Sequence, residues 1–176
     1  DRTPLLRPRF LLPRLSTALM RLPSLLCALL LALGTAVPTA SGQDVLIPMD
    51  QDQTNHLKAY GVVYWALQQG QSVDWLLNYR GGSFMASSTQ RLQQELRVRG
   101  VSFQTVNGAA ASEIISRVES DGSNMSVVRL DKAPDIAVYA PDRAQPWDDA
   151  VRLALKYAEV PHDLIYDRAV LDGKLQ

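Results

Sequence analysis

Residues 73–85 read VDWLLNYRGGSFM, and this stretch decides how the predicted strands are connected. Its first part, Val73–Leu77, is an apolar run typical of a buried strand. The two glycines that follow Arg80 allow a tight turn, or the close approach of backbone N–H groups to an anion. Arg80 could add a bidentate contact to such an anion. Two interpretations stay open, a plain turn after the strand and a loop that binds a ligand.

On both sides of this stretch, short apolar runs alternate with amphipathic helical patterns. Strands are predicted at 44–49, 73–77, 101–106, 135–140 and 163–166, with a short extra strand at 125–130. Helices are predicted at 53–69, 87–99, 109–119 and 146–158. Helices of this length serve as crossovers between parallel strands. The alternation therefore predicts an α/β fold with a doubly wound, mostly parallel sheet in flavodoxin-like order.

The first 43 residues have a different composition from the rest of the chain. Their five arginines and single acidic residue all precede the uncharged run SLLCALLLALGTAV at 24–37. This run is shorter than the roughly 20 apolar residues of a spanning helix. With small residues at Ala40–Gly42, it predicts a secretory signal that starts at about Met20 and is cleaved near Gln43. Residues 1–19 would then be upstream sequence; an uncleaved anchor and a buried core helix are the alternatives.

Export shapes the remaining expectations about partners. Residues 44–176 hold 13 basic and 17 acidic residues, so the pattern predicts no nucleic-acid partner. Membrane contact is expected only through the signal or anchor segment, and the predicted location is periplasmic or extracellular, with association at the outer surface as a variant. The single cysteine, Cys27, lies within the apolar run. The mature chain would therefore carry no disulfide and no cysteine nucleophile.

Polar residues follow the predicted strands, at the edge where parallel sheets bind their ligands. We predict that this edge binds or processes a small polar or anionic molecule, with Arg80 holding an anionic group while Asn55 and Gln145 form hydrogen bonds. The predicted rim consists of Asp50, Asn55, His56, Asn78, Tyr79, Arg80, Gly81, Gly82, Gln145 and Trp147.

The sequence indicates where this rim lies but not which of its residues would carry out chemistry. His56 fits a base, a metal ligand, or a capping or packing residue, and it shows no metal-binding spacing with His162. The P-loop, G-x-G-x-x-G and G-x-S-x-G patterns do not occur in the sequence. The sequence therefore predicts no cofactor and no metal, and it leaves the catalytic residues unassigned.

Three stretches carry a resemblance to a known family. They are LIPMDQDQTNHLKAYGVVYWALQQG at 46–70, VDWLLNYRGGSF at 73–84 and IAVYAPDRAQPWDDAVRLALKYAEVPHDLIYD at 136–167. They resemble a family of exported proteins from Bacteroidota that is commonly labelled asparagine synthetase B. The resemblance covers residues 44–175. It implies glutamine-dependent asparagine synthesis, and a longer protein of which this chain is the N-terminal part, continuing into a His-rich segment.

The residues depart from that chemistry at two places. Glutamine-dependent asparagine synthetases use an N-terminal cysteine and an S-G-G-x-D-S loop that binds pyrophosphate. Residues 43–176 contain no cysteine, and the nearest string, RGGSF at 80–84, lacks the leading serine and the aspartate. A class I amidotransferase-like sheet is the closer fold analogy, although its cysteine elbow is absent too. Asparagine synthetase B and a metal-dependent hydrolase completed by further C-terminal sequence stay as alternative functions.

Overall fold

The computed structural model describes residues 42–141, 143–145, 147 and 149–174. The predicted signal peptide, the alternative anchor and Cys27 lie outside the described residues. Within the described ranges, every helix is too short or too polar to span a bilayer.

Strands and helices alternate along most of this part of the chain. The strands are β1 Gln43–Ile47, β2 Val73–Leu77, β3 Ser83–Ser87, β4 Gln104–Asn107, β5 Ser126–Leu130, β6 Ala137–Tyr139 and β7 Asp163–Ile165. The helices are α1 His56–Gln68, α2 Gln90–Val98, α3 Gly108–Val118, α4 Ala150–Ala158 and α5 Asp167–Leu171. A short 3₁₀ turn, Tyr79–Gly81, lies between β2 and β3.

Side-chain caps explain where the first two helices begin. The Asn55 side chain accepts a hydrogen bond from the backbone N–H of Lys58 at the start of α1. The sequence predicted that the second helix begins at residue 87, but its cap is Thr89, whose Oγ1 accepts from the N–H of Leu92 at 3.1 Å. Because β3 extends to Ser87, that residue belongs to the strand and the helix begins later.

The prediction of a doubly wound, mostly parallel sheet in flavodoxin-like order is wrong. The main sheet has five strands in the order β4-β1-β3-β2-β5, and each neighbouring pair is antiparallel. The strand that the sequence analysis missed, β3, is the cause. It returns from β2 through a tight turn, enters the sheet between β1 and β2, and separates the two strands that α1 connects.

The connections form two interleaved βαβ units. β1-α1-β2 joins two strands that run in the same direction, and β3-α2-β4 joins two strands that run in the opposite direction. Each pair is separated by a strand of the other unit. This is the split βαβ, ferredoxin-like arrangement, which α3 and β5 extend by a fifth strand beside β2.

Helices cover both faces of this sheet because successive apolar side chains of a strand point to opposite faces. Val45 and Ile47 of β1 point to the face that packs against α1 and α2, in the larger core cluster. Leu46, between them, belongs to a second cluster with Ala111 and Val118 of α3. The result is three layers, helix, sheet and helix.

The parallel pairing that the sequence predicted occurs in the segment after β5. There β6 and β7 pair in parallel, with Val138 opposite Leu164, and α4 connects them. α4 packs closely on α1, where a Cβ atom added at Gly61 would lie 1.8 Å from the carbonyl oxygen of Ala158. Beside this crossing, Glu159 forms ion pairs with Lys58 and Arg99. The small parallel unit is thus fixed to the antiparallel sheet through α1.

We predict that Gly61→Ala destabilises the protein although alanine is the better helix former. Helix propensity favours alanine by about 1 kcal/mol, but the new methyl group would overlap the backbone of Ala158, and overpacking typically costs about 1–3 kcal/mol. Urea unfolding of the full chain measures the net change. Gly108→Ala is the matched control, because its Cβ would lie 3.5 Å from the nearest atom, in ordinary contact. A stabilised Gly61→Ala would contradict the close crossing.

Candidate functional site

The predicted rim divides into two groups in the structure. β1 and β2 run in the same direction, so the residues after them lie at one edge of the main sheet, where Asp50, His56 and Arg80 come together. Gln145 and Trp147 lie in the connection from β6 to α4. Their expected convergence with the first group depended on a continuous parallel sheet, and the described strands do not form one.

Arg80 is held by two carboxylates. Its Nε lies 2.7 Å from Oδ2 of Asp50, a second nitrogen lies 3.3 Å from Oδ1 of the same residue, and it also pairs with Asp52. The hydrogen bond from Arg80 lowers the pKa of Asp50 below its ordinary value. An anion that bound Arg80 would have to compete with both carboxylates, so the guanidinium supports the loop more than it offers a free anion contact.

The backbone of the same loop shows how its two glycines are used. Asn78 and Arg80 have φ angles of 61° and 47°, and Gly81 and Gly82 have φ angles of 80° and 89°. The N–H of Met49 donates to the carbonyl oxygen of Arg80 at 3.1 Å. A Cβ at Gly81 would lie 2.3 Å from the Met49 carbonyl oxygen. These glycines therefore serve a hairpin turn that packs against the end of β1.

Asn55 and His56 both have partners within the protein. Asn55 caps α1, and its Nδ2 donates to the hydroxyl of Tyr157 on α4 at 2.7 Å. Nε2 of His56 lies 3.2 Å from the carbonyl oxygens of both Met49 and Asp50. A ring N–H that is directed at two backbone carbonyls fixes the end of β1 relative to α1, whereas the cap of α1 is Asn55.

The remaining residues of the turn are tied to other elements. Nδ2 of Asn78 donates to the carbonyl oxygen of Asn124 at 2.6 Å. Tyr79 packs against the core cluster beneath α3. The Gly82 carbonyl accepts a hydrogen bond from Nε1 of Trp75 at 3.1 Å. Each of these contacts connects the hairpin to the surrounding structure.

The carboxyl ends of the parallel pair present a second polar surface. The hydroxyl of Tyr139 donates to Asp167, and this hydrogen bond raises the pKa of Tyr139 to about 12. The rings of Tyr139 and Tyr166 lie 5.6 Å apart. Gln145 is exposed and Trp147 is 71% exposed in the adjoining connection. Asp142, in the same connection, lies outside the described residues.

A cleft that the sequence analysis did not predict lies between α1, the hairpin and the segment after β5. Its volume is about 360 Å³. Tyr60 meets Phe84 edge to face at 5.6 Å, and Trp75 stacks on the other side of Phe84 at 5.9 Å. We call this the aromatic cleft; its other lining residues are Val63, Tyr64, Leu67, Leu130, Lys132, Pro134, Ile136, Leu155 and Val160.

The signal for this cleft was present in the helical pattern of α1. Tyr60, Val63, Tyr64 and Leu67 recur at helical spacing, which predicts a buried stripe. Val63 and Leu67 are buried, but Tyr60 stays 46% exposed. A half-exposed aromatic residue on an otherwise buried stripe shows that this part of the stripe faces a cleft. The sequence alone does not distinguish a stripe that is fully buried from a stripe that partly faces a cleft.

Comparisons of the chain with protein-family models, with curated proteins and with solved structures found no match. The resemblance to the exported family therefore stays a prediction. Across the described ranges, no three His, Cys, Asp or Glu side chains are grouped so that they could hold a metal ion.

We predict that Asp50→Asn destabilises the protein at neutral pH and that this effect becomes smaller at pH 3. Because the folded-state pKa of Asp50 is lowered, its carboxylate contributes stability above the ordinary pKa of 3.8, and the contribution is lost as pH falls through the folded-state value. Urea unfolding at pH 7 and pH 3 tests this. The control is Asp121→Asn, at an exposed turn after α3. Equal effects of Asp50→Asn at both pH values would contradict the assigned ion pair.

Proposed function

We propose that this α/β domain is a binding module of an exported protein and that it binds a small organic molecule in the aromatic cleft. The observation that carries the proposal is the cleft itself, which is about 360 Å³ and is lined almost entirely by apolar and aromatic side chains. Small-molecule sites in proteins commonly have volumes of about 300–1,000 Å³ and are lined in this way.

The walls of the cleft are fixed by contacts that need no ligand. Trp75 is held by its hydrogen bond to Gly82 and by stacking on Phe84. Tyr64 donates its hydroxyl to the carbonyl oxygen of Pro134 at 2.9 Å. Side chains that are already ordered lose little further freedom when a ligand binds, so more of the contact energy contributes to affinity.

Binding fits the predicted rim better than turnover does. His56 and Arg80 are the two rim residues best suited to catalysis. The His56 ring is directed at backbone carbonyls, and Arg80 is paired with carboxylates of the same chain. Both contacts support the turn beside β1. The export that the signal pattern predicts is also part of this proposal. A synthetase would need ATP, whereas a binding module outside the cytoplasm does not.

A second candidate is a polar ligand at the carboxyl ends of β6 and β7. It is favoured by the Tyr139–Asp167 hydrogen bond, which joins the two strand ends, and by the exposed ring of Trp147. Ligands of parallel α/β sheets bind at such ends. This candidate retains the sequence-based proposal of a small polar or anionic molecule, for which Gln145 would supply hydrogen bonds.

We predict that the full chain increases the fluorescence of N-phenyl-1-naphthylamine, a neutral apolar probe, and that Tyr60→Ala weakens its binding about three- to tenfold. One aromatic contact contributes about 0.5–1.5 kcal/mol beyond area burial, and 1.4 kcal/mol corresponds to a tenfold change in Kd. A fluorescence titration gives the dissociation constants.

The control variant is Leu153→Ala. Leu153 is 50% exposed, as Tyr60 is 46% exposed, but it lies in a separate apolar groove between α1 and α4. Its loss should leave the affinity of the cleft unchanged. If Tyr60→Ala bound the probe as tightly as the unmodified chain does, the aromatic cleft would not be the binding site.

A further inference from the structure

The chemistry of the cleft lining restricts which molecules it can bind. We infer that its ligand is an amphiphilic anion, whose apolar body fills the aromatic cleft and whose single negative group pairs with Lys132 at the edge of the cleft. This inference rests on the proposed function, because it names the class of ligand for the same site.

Two of the polar groups in the cleft wall already have partners. The hydroxyl of Tyr64 donates to Pro134, and the indole N–H of Trp75 donates to Gly82. A hydrogen-bonding group on the ligand body would therefore lose its water without gaining these donors, which is unfavourable. The part of the ligand that enters the cleft is therefore largely apolar, and a flat ring suits the aromatic wall.

Charge at the cleft comes from one residue. Among the described residues that line it, Lys132 is the one that carries a charge at neutral pH. The nearest acid along the chain toward β6, Asp135, does not line the aromatic cleft; it lines two neighbouring clefts, one of which Lys132 also lines. A negative group at this position would meet a cation, and a positive group would meet the same charge.

The surrounding ion pairs leave Lys132 available for such a ligand. Arg129 pairs with Asp74 at 3.0 Å and with Asp131 at 3.4 Å, so the acid next to Lys132 is already engaged. Within the described ranges, no carboxylate lies within ion-pair distance of the Lys132 ammonium group. Lys132 is also exposed, so a ligand could reach it without rearrangement of the core.

Three small molecules with one ring system and three different charges test the inference. Indole-3-acetate is an anion, indole-3-acetamide is neutral and tryptamine is a cation at pH 7. Calorimetric titration of the full chain should give the tightest binding for indole-3-acetate, with about a two- to fivefold step to the amide, since exposed ion pairs are weak. The step should shrink when salt is added, because exposed charges are screened.

Variants of Lys132 separate charge from shape. Lys132→Gln should remove the preference for the anion while the amide still binds, and Lys132→Glu should reverse the order in favour of tryptamine. Both changes are at an exposed position, so the fold should be kept. Lys156→Gln, an exposed lysine on α4 that does not line the aromatic cleft, is the matched control and should leave the order unchanged.

The outcomes distinguish this inference from the proposed function on which it rests. Equal affinity for the three molecules, or tightest binding of tryptamine to the unmodified chain, would overturn the inference and leave the cleft as a binding site. If none of the three bound and the neutral naphthylamine probe also failed to bind, the proposed function would fail together with the inference.

Discussion

The turn between β2 and β3 is the constraint on which the rest of the structure depends. Four of its five residues have positive φ angles, and its backbone packs against Met49 at the end of β1. Two residues at such angles, Asn78 and Arg80, are not glycine, which is an unfavourable conformation. The ion pairs of Arg80 with Asp50 and Asp52 offset part of that cost. Through this turn the chain reverses and β3 enters the sheet.

The same turn determines where the aromatic cleft lies. Reversal of the chain brings Phe84 of β3 opposite Trp75 of β2, in register, so that their rings stack. α1 crosses this pair and places Tyr60 against the Phe84 ring. The contact of Gly61 with α4 holds that helix, whose Leu155 also lines the cleft, close to α1. One backbone reversal thus produces both the sheet order and the lining of the site.

Much of the local structure could be predicted from the sequence, but the topology could not. Periodicity identified β2 as Val73–Leu77, and it placed the ends of most helices within a few residues of their positions. The strand at Ser83–Ser87 was missed because its residues, SFMAS, are short and include two small polar side chains. Without that strand, each helix looked like a crossover between parallel neighbours, and the split pairing could not be recognised. Strand order depends on pairing between distant segments, which local patterns do not encode.

The site was predictable to a different degree at each residue. The proximity of Asp50, His56 and Arg80 followed from polar residues after two strands that do run in the same direction. Their role did not follow from the sequence. An acid, a histidine and an arginine can form a ligand site, or they can pair with one another and stabilise a turn. The charges here are satisfied within the chain, whereas Lys132 combines an exposed ammonium group with an apolar cleft. Under the binding proposal, recognition at this surface depends on shape and on one charge, and both arise only after distant segments have been brought together.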